Sequence, residues 1–67
     1  MATFETATRY TVTVRNQQGA SSVSYHPSRA AAKRYLRATW FDLERMTTTV
    51  VDNRTGWSIY DGSAKGF

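Results

Sequence analysis

The 67-residue chain carries nine lysines and arginines against five aspartates and glutamates, for a net charge of +4, and it contains no cysteine. This length fits one domain over residues 1–67, and the lack of cysteine excludes a disulfide framework and a cysteine-based zinc site. The basic balance favours acidic partners, and no apolar stretch is long enough to span a bilayer. We therefore expect one cytoplasmic domain without a membrane partner.

The first predicted strand follows a leader, residues 1–7, that we expect to be loosely ordered. Apolar and polar residues alternate strictly from Arg9 to Arg15, which is typical of a half-buried strand. The alternation predicts that Tyr10, Val12 and Val14 face the core.

A turn and a second alternating segment follow. Residues 16–19 end in Gly19, which readily adopts a positive φ. Residues 22–26 alternate again, and this pattern predicts Val23 and Tyr25 on the core side. The two segments together predict a β-hairpin.

One helix is predicted after the hairpin. Ser28 is a suitable N-cap, and the interval from Ala30 to Met46 contains neither glycine nor proline. An apolar stripe at helical spacing predicts the face that packs on the sheet: Ala32, Tyr35, Leu36, Thr39, Leu43 and Met46, with Trp40 at its edge.

Two more strands are predicted in the last third of the chain. Residues 47–51 are rich in β-branched side chains, and residues 57–60 alternate with Trp57 and Ile59 inward. We expect residues 61–67, which contain glycine and serine, to be loosely ordered.

These elements predict an α+β fold of the ββαββ type, in which one helix packs on one face of a four-stranded, mainly antiparallel sheet. The expected core is Tyr10, Val12, Val14, Val23, Tyr25, Leu36, Leu43, Met46, Val51, Trp57 and Ile59. The uncovered sheet face is expected to carry Arg9, Thr11, Thr13, Arg15, Ser22, Ser24, His26, Val50 and Tyr60.

The predicted helix carries a row of cations at four-residue spacing. Residues at that spacing are adjacent on a helix surface, so Arg29, Lys33 and Arg37 repel one another. A sequence that violates local rules in this way often does so at a functional surface. The alternative interpretation is an ordinary solvated face that Asp42 and Glu44 neutralise in part. The predicted partner-binding or nucleic-acid-binding residues are Arg29, Lys33, Arg34, Arg37, Phe41 and Arg45.

No catalytic, metal or cofactor site is predicted. His26 is the only histidine, and nucleophilic catalysis needs a base that a third group orients. The acidic residues are scattered along the chain, and no phosphate-binding glycine motif is present. We therefore expect a non-enzymatic protein without a cofactor.

Two other surfaces remain as alternatives. Arg9 and Arg15, together with Tyr60 and His26, are candidates for gripping single-stranded nucleic acid on the sheet face. Val50 with Tyr60, or an unpaired edge strand, is a candidate for homodimerisation. The chain is accordingly expected to be a monomer or a homodimer.

The order of elements resembles small accessory proteins of phages and mobile elements. A hairpin followed by residues 27–36, and a closing hairpin that contains residues 49–52 and 56–60, looks like some single-helix, four-stranded anti-CRISPR proteins and equally like a bacterial ββαββ family. In the anti-CRISPR case the resemblance implies a stoichiometric inhibitor that docks on a surveillance complex in the host cytoplasm. Many such inhibitors are acidic mimics of nucleic acid, and this basic chain departs from that pattern.

The sequence therefore favours a small binding module that interferes with a host macromolecular complex. Its expected partner is an acidic protein surface or a protein–nucleic acid complex. Direct binding of DNA or RNA through the same helix face is the first alternative, and a structural or dimerisation domain is the second.

Overall fold

The computed structural model describes residues 8–67, so the expected leader at residues 1–7 lies outside the described residues. One four-stranded sheet has the strand order β2-β1-β3-β4, and every neighbouring pair is antiparallel. An α-helix packs on one face, which confirms the α+β ββαββ fold. The elements are β1 (Tyr10–Arg15), β2 (Ser21–His26), α1 (Arg29–Thr39), a first 3₁₀ turn (Leu43–Arg45), β3 (Thr47–Asp52), β4 (Trp57–Ser63) and a second 3₁₀ turn (Ala64–Gly66).

Local sequence explains both hairpins. The Asn16 side-chain oxygen accepts hydrogen bonds from two backbone N–H groups of the β1–β2 turn at 3.0 Å, and Gly19 adopts a φ of 88°. At the β3–β4 turn the Asp52 carboxylate accepts from the Arg54 N–H at 3.0 Å, and Gly56 adopts a φ of 77°. Asn and Asp side chains that bind the turn backbone, with glycine at positive φ, are the usual chemistry of tight connections.

The core lies between the central strands and the helix. Tyr10, Val12 and Val14 project inward from β1 as predicted, because successive side chains alternate across a strand. Val50 joins them from β3, and Leu36 joins them from α1. The buried hydrophobic residues of the described chain are Tyr10, Val12, Val14, Ala32, Leu36, Val50, Ala64 and Phe67.

The face of β2 that packs on the helix is opposite to the predicted one. Val23 and Tyr25 are 54% and 58% exposed rather than buried. The register pairs Val12 with Ser24, and directly paired residues project to the same face of a sheet. Because α1 packs against both β1 and β2, the small serine side chains leave room for the helix. The residues expected on the uncovered face that lie instead on the helix side of β2 are Ser22, Ser24 and His26.

The predicted burial of β4 is also wrong, and Val51, expected in the core, pairs with Thr11 on the face away from the helix. Trp57 is 75% exposed and Ile59 is 37% exposed, whereas Val50 and Tyr60, expected on the uncovered face, pack with the core. The register with β3 shifts at a β-bulge between Val50 and Val51, so that Tyr60, opposite Val50, and Trp57, opposite Asp52, both project to the helix side, where Trp57 remains exposed. One extra residue in β4 changes the alternation that the sequence pattern assumes.

The helix ends at Thr39, well before the predicted end at Met46. The predicted helix would be about 25 Å long. It would be longer than the six-residue strands such as β1, which are about 20 Å long. The chain instead leaves the helix at Trp40, whose backbone N–H donates to the Leu36 carbonyl at 3.0 Å. Trp40, Leu43 and Met46 then pack, partly buried, against the core.

Residues 61–67 complete the core, which corrects the expectation of loose ordering. The Tyr60 hydroxyl donates to the Ser63 carbonyl at 2.6 Å, and the Phe67 and Tyr60 ring centroids are 5.3 Å apart. Ala64 and Phe67 are buried. This segment covers the part of the helix-side face, over β3 and β4, that α1 does not reach.

His26 lies where β2 meets the helix. Its Nε2 is 2.9 Å from the Ser24 hydroxyl, and its ring centroid is 4.7 Å from that of Tyr35 on α1. Partial burial lowers the pKa of His26 from its ordinary value of 6.5, because desolvation disfavours the charged imidazolium. This side chain therefore couples packing at the helix start to pH.

Two phenylalanine substitutions test the packing of the last segment. Phe67→Ala removes a buried ring, and we expect it to reduce the free energy of unfolding by about 3–5 kcal/mol, enough to unfold much of a small domain. Phe41→Ala removes a ring that is 100% exposed and should change the same quantity by less than about 0.5 kcal/mol. Urea denaturation followed by circular dichroism measures both. Equal effects would contradict the burial of Phe67.

The position of His26 predicts weaker folding at mildly acidic pH. A histidine with a lowered folded-state pKa binds its proton more tightly in the unfolded chain. The stability contribution is therefore complete above about pH 6.5 and decreases as the pH falls toward the folded-state pKa. Thermal melts across this range should show a larger loss for the wild type than for His26→Gln. Parallel losses in the two proteins would contradict the prediction.

Candidate cationic binding surface

The helix that carries the predicted site begins with a side-chain cap. The Ser28 hydroxyl accepts a hydrogen bond from the Ala31 N–H at 3.1 Å, as an N-cap serine does. The first turn contains no acidic residue, so no side-chain carboxylate there complements the positive end of the helix dipole. Arg29 occupies that turn instead.

The helix buries one narrow stripe and exposes the rest. Ala32 and Leu36 are its buried residues, and Tyr35 is half-buried against His26. Four predicted site residues lie outside this stripe and are exposed. We call them the cationic surface: Arg29, Lys33, Arg34 and Arg37.

Ion pairs do not neutralise the cationic surface within residues 8–67. The two ion pairs there join Arg9 to Asp52 at 3.9 Å and Lys65 to Glu44 at 2.8 Å. Glu44, which we expect to neutralise the helix face in part, binds Lys65 instead, and the hydrogen bond and charge of that lysine lower the pKa of Glu44. The cationic surface therefore keeps its full charge toward solvent.

Phe41 and Arg45 are not part of the helical row, because α1 ends before them. Phe41 lies in the segment after the helix and is 100% exposed. Arg45 closes the first 3₁₀ turn and lines a shallow depression of about 210 Å³ with Asp42 and the β1–β2 turn. The structure thus places four of the six predicted site residues on one helix and the other two on the segment that follows it.

Phe67 is a residue of this region that the sequence pattern does not indicate. A groove of about 250 Å³ is lined by Arg29, Ala30, Lys33 and Phe67. The Arg29 guanidinium carbon lies 5.8 Å from the centroid of the Phe67 ring, which is within the range of cation–π contacts. The last segment therefore supports the start of the cationic surface, and only the tertiary fold shows this.

The predicted alternatives on the sheet face are not assembled. His26 and Tyr60 lie on the helix side of the sheet, and Arg9 pairs with Asp52. Val50 is buried, so a dimer contact through Val50 and Tyr60 is also wrong. Of the four residues expected to bind single-stranded nucleic acid on the uncovered sheet face, Arg15 alone lies there.

The described residues show little that suggests catalysis. His26 approaches Ser24 at 2.9 Å, but within residues 8–67 no carboxylate is hydrogen-bonded to the imidazole to orient it, as the nucleophile–base–acid arrangement requires. Within the same residues no group of three or more histidine, cysteine, aspartate or glutamate side chains is placed to hold a metal ion.

No protein-family model, curated protein or solved structure matches the chain. In the part of the chain that the structure describes, no helix combines the length and apolar character that crossing a membrane requires.

Proposed function

We propose that the chain is a non-enzymatic binding module that docks through its cationic surface on an acidic surface of a host protein or protein–nucleic acid complex. One observation carries the proposal: four exposed cations share one helix, and no carboxylate of residues 8–67 pairs with them. An anionic partner would relieve their mutual repulsion, because opposite charge offsets the unfavourable four-residue pairs.

Phe41 supports docking on a surface that includes protein. A fully exposed phenylalanine in the segment that follows the cationic surface contributes nothing to the core, and aromatic residues and arginines are enriched in protein interfaces. Buried in a partner's pocket, such a ring supplies much of the binding energy. Phe41 is the proposed anchor, and Arg45 is the proposed flanking cation.

The biological role that we propose is that of a phage or mobile-element accessory protein that interferes with a host complex. Small size, a single ββαββ domain and an exposed basic helix suit a stoichiometric inhibitor. The net charge of +4 favours contact with an acidic surface over mimicry of nucleic acid, because like charges repel at a nucleic-acid-binding site.

Direct binding of DNA or RNA is a second candidate, and the spacing of the cations favours it. Arg29, Lys33 and Arg37 follow one another at one-turn intervals along the 11-residue helix, so they span about 12 Å along its axis. Such a row can contact successive phosphates of one strand without reading base sequence. This candidate uses the same residues and differs in its partner.

Salt dependence tests the cationic surface. We expect Lys33/Arg37→Ala to weaken binding to labelled DNA, RNA or polyglutamate, and to reduce the slope of log affinity against log salt on nucleic acid by about 1.4 to 1.8. Arg15/Arg54→Ala removes the same charge from other exposed positions and is the matched control. Fluorescence anisotropy at several salt concentrations measures both. Equal losses in the two variants would refute the proposed surface, and no binding of any probe at low salt would exclude the nucleic-acid candidate.

Substitution of Phe41 separates the two candidate partners. If a protein surface is the partner, Phe41→Ala should weaken binding to a host complex captured with the wild-type chain by about 2 kcal/mol or more. This loss should exceed the loss from replacing any single cation with alanine. If contacts with phosphates dominate, Arg37→Ala should weaken binding to plain DNA or RNA more than Phe41→Ala does. Surface plasmon resonance with both variants measures which substitution weakens binding more. Unchanged affinity for the host complex after Phe41→Ala would exclude the anchor.

A further inference from the structure

The end of the sheet nearest the start of α1 carries an exposed tryptophan. His26 pairs with Tyr10, Tyr10 pairs with Asp52, and Asp52 pairs with Trp57. Directly paired residues project to the same face of a sheet, so Trp57 lies on the helix side of β4. It is 75% exposed, so neither α1 nor the last segment covers it.

The cationic surface begins at the same end of the sheet. β2 ends at His26, and α1 begins at Arg29 after a two-residue connection. Arg29 and Lys33 line the groove of about 250 Å³ from the helix, and Phe67 lines it from the last segment. Because Phe67 packs on Tyr60 of β4, this groove lies between α1 and the outer strand that carries the exposed tryptophan.

A short series of contacts connects the groove to that tryptophan. The Arg29 guanidinium carbon lies 5.8 Å from the centroid of the Phe67 ring, and that centroid lies 5.3 Å from the centroid of the Tyr60 ring. The β3 partners of Tyr60 and Trp57 are two residues apart, which is about 7 Å along the strand. The cations at the start of α1 and the Trp57 indole therefore lie at one end of the same side of the molecule.

The acidic residue of this end of the sheet does not neutralise the cations. One carboxylate oxygen of Asp52 accepts a hydrogen bond from the Arg54 N–H at 3.0 Å, and the other lies 3.9 Å from the Arg9 guanidinium. Arg29 and Lys33 form no ion pair with any of residues 8–67. The side of α1 that borders the groove therefore keeps its positive charge.

We propose that this surface binds single-stranded nucleic acid, with phosphates on Arg29 and Lys33 and an unpaired base stacked on Trp57. The site uses the cations of the second candidate in the proposed function, on which it depends, and it specifies the form of nucleic acid. Each nucleotide joins an anionic phosphate to a flat aromatic base, which matches cations beside an exposed indole. Proteins that bind single strands without reading sequence combine a positively charged groove with aromatic side chains in this way.

Other anionic ligands match only half of this surface. A chain of carboxylates satisfies the cations but offers the indole no ring on which to stack. A duplex keeps its bases inside the stack, so its phosphates can contact the cations while no base is free for Trp57. The aromatic ring therefore favours the single strand over both.

Fluorescence titration with an oligothymidylate of about 12 nucleotides at low salt tests the stacked base. The chain has two tryptophans, and Trp40 is partly buried against the core whereas Trp57 is exposed. We expect the single strand to quench the fluorescence of Trp57, and the quenching should disappear in Trp57→Phe. A duplex of the same length should bind without this quenching.

Anisotropy of labelled oligothymidylate measures the contribution of the ring. Trp57→Ala should weaken binding about tenfold or more, and Trp57→Phe should retain most of the affinity because it keeps a flat ring. Both should leave binding of the duplex and of polyglutamate unchanged, since neither ligand presents an unpaired base. Tyr25→Ala is the matched control: it removes an exposed ring from the other outer strand and should not change the affinity.

Circular dichroism verifies that the variants fold. A Trp57→Ala variant that binds oligothymidylate as tightly as the wild type would overturn the site, as would equal losses in Trp57→Ala and Tyr25→Ala. A wild type that binds no oligothymidylate at low salt would overturn it too. In each case, binding of polyglutamate that Lys33/Arg37→Ala weakens would leave docking on an acidic surface standing.

Discussion

A two-residue connection determines where the helix lies. Because only Pro27 and Ser28 separate β2 from α1, the helix begins at the end of β2 and packs on β2 and its neighbour β1. A helix about 10 Å wide covers two strands at about 4.8 Å spacing, not four. The remaining half of the core must be closed by other residues, and Leu43, Met46 and Phe67 do so. The burial of the last segment follows from the shortness of this connection.

The helix packs on the sheet through one side and carries its charge on the other. Ala32 and Leu36 are its buried residues, so substitution on the opposite side has little effect on the core. The like charges of the cationic surface disfavour the helix by a few tenths of a kcal/mol per pair, and ion pairs with described residues do not offset that cost. Apart from the contact of Arg29 with the Phe67 ring, no interaction with the described residues offsets this cost, which is the physical reason to propose that the surface binds a partner.

Much of the fold can be predicted from sequence, and the errors share one physical cause. Alternation identifies the inward face of β1 correctly, because this strand is central and its apolar side chains face the core. At β2 the same rule selects Val23 and Tyr25, yet the face of an edge strand is set by its register with β1. The bulge in β4 and the contact of Phe67 with Tyr60 are tertiary features. The periodicity of the local sequence predicts neither the bulge nor this contact.

Part of the candidate site can likewise be predicted from the sequence, and part of it depends on the tertiary structure. Arg29, Lys33, Arg34 and Arg37 can be predicted from sequence because a rule of helix geometry, the four-residue spacing, holds wherever the helix exists. Phe41 and Arg45 belong to the row only if the helix continues, and the helix ends at Thr39 instead. A chain with neutral side chains at Lys33, Arg34 and Arg37 would keep the same core and fold at least as well. Folding therefore does not require these cations, which is why we propose that binding does.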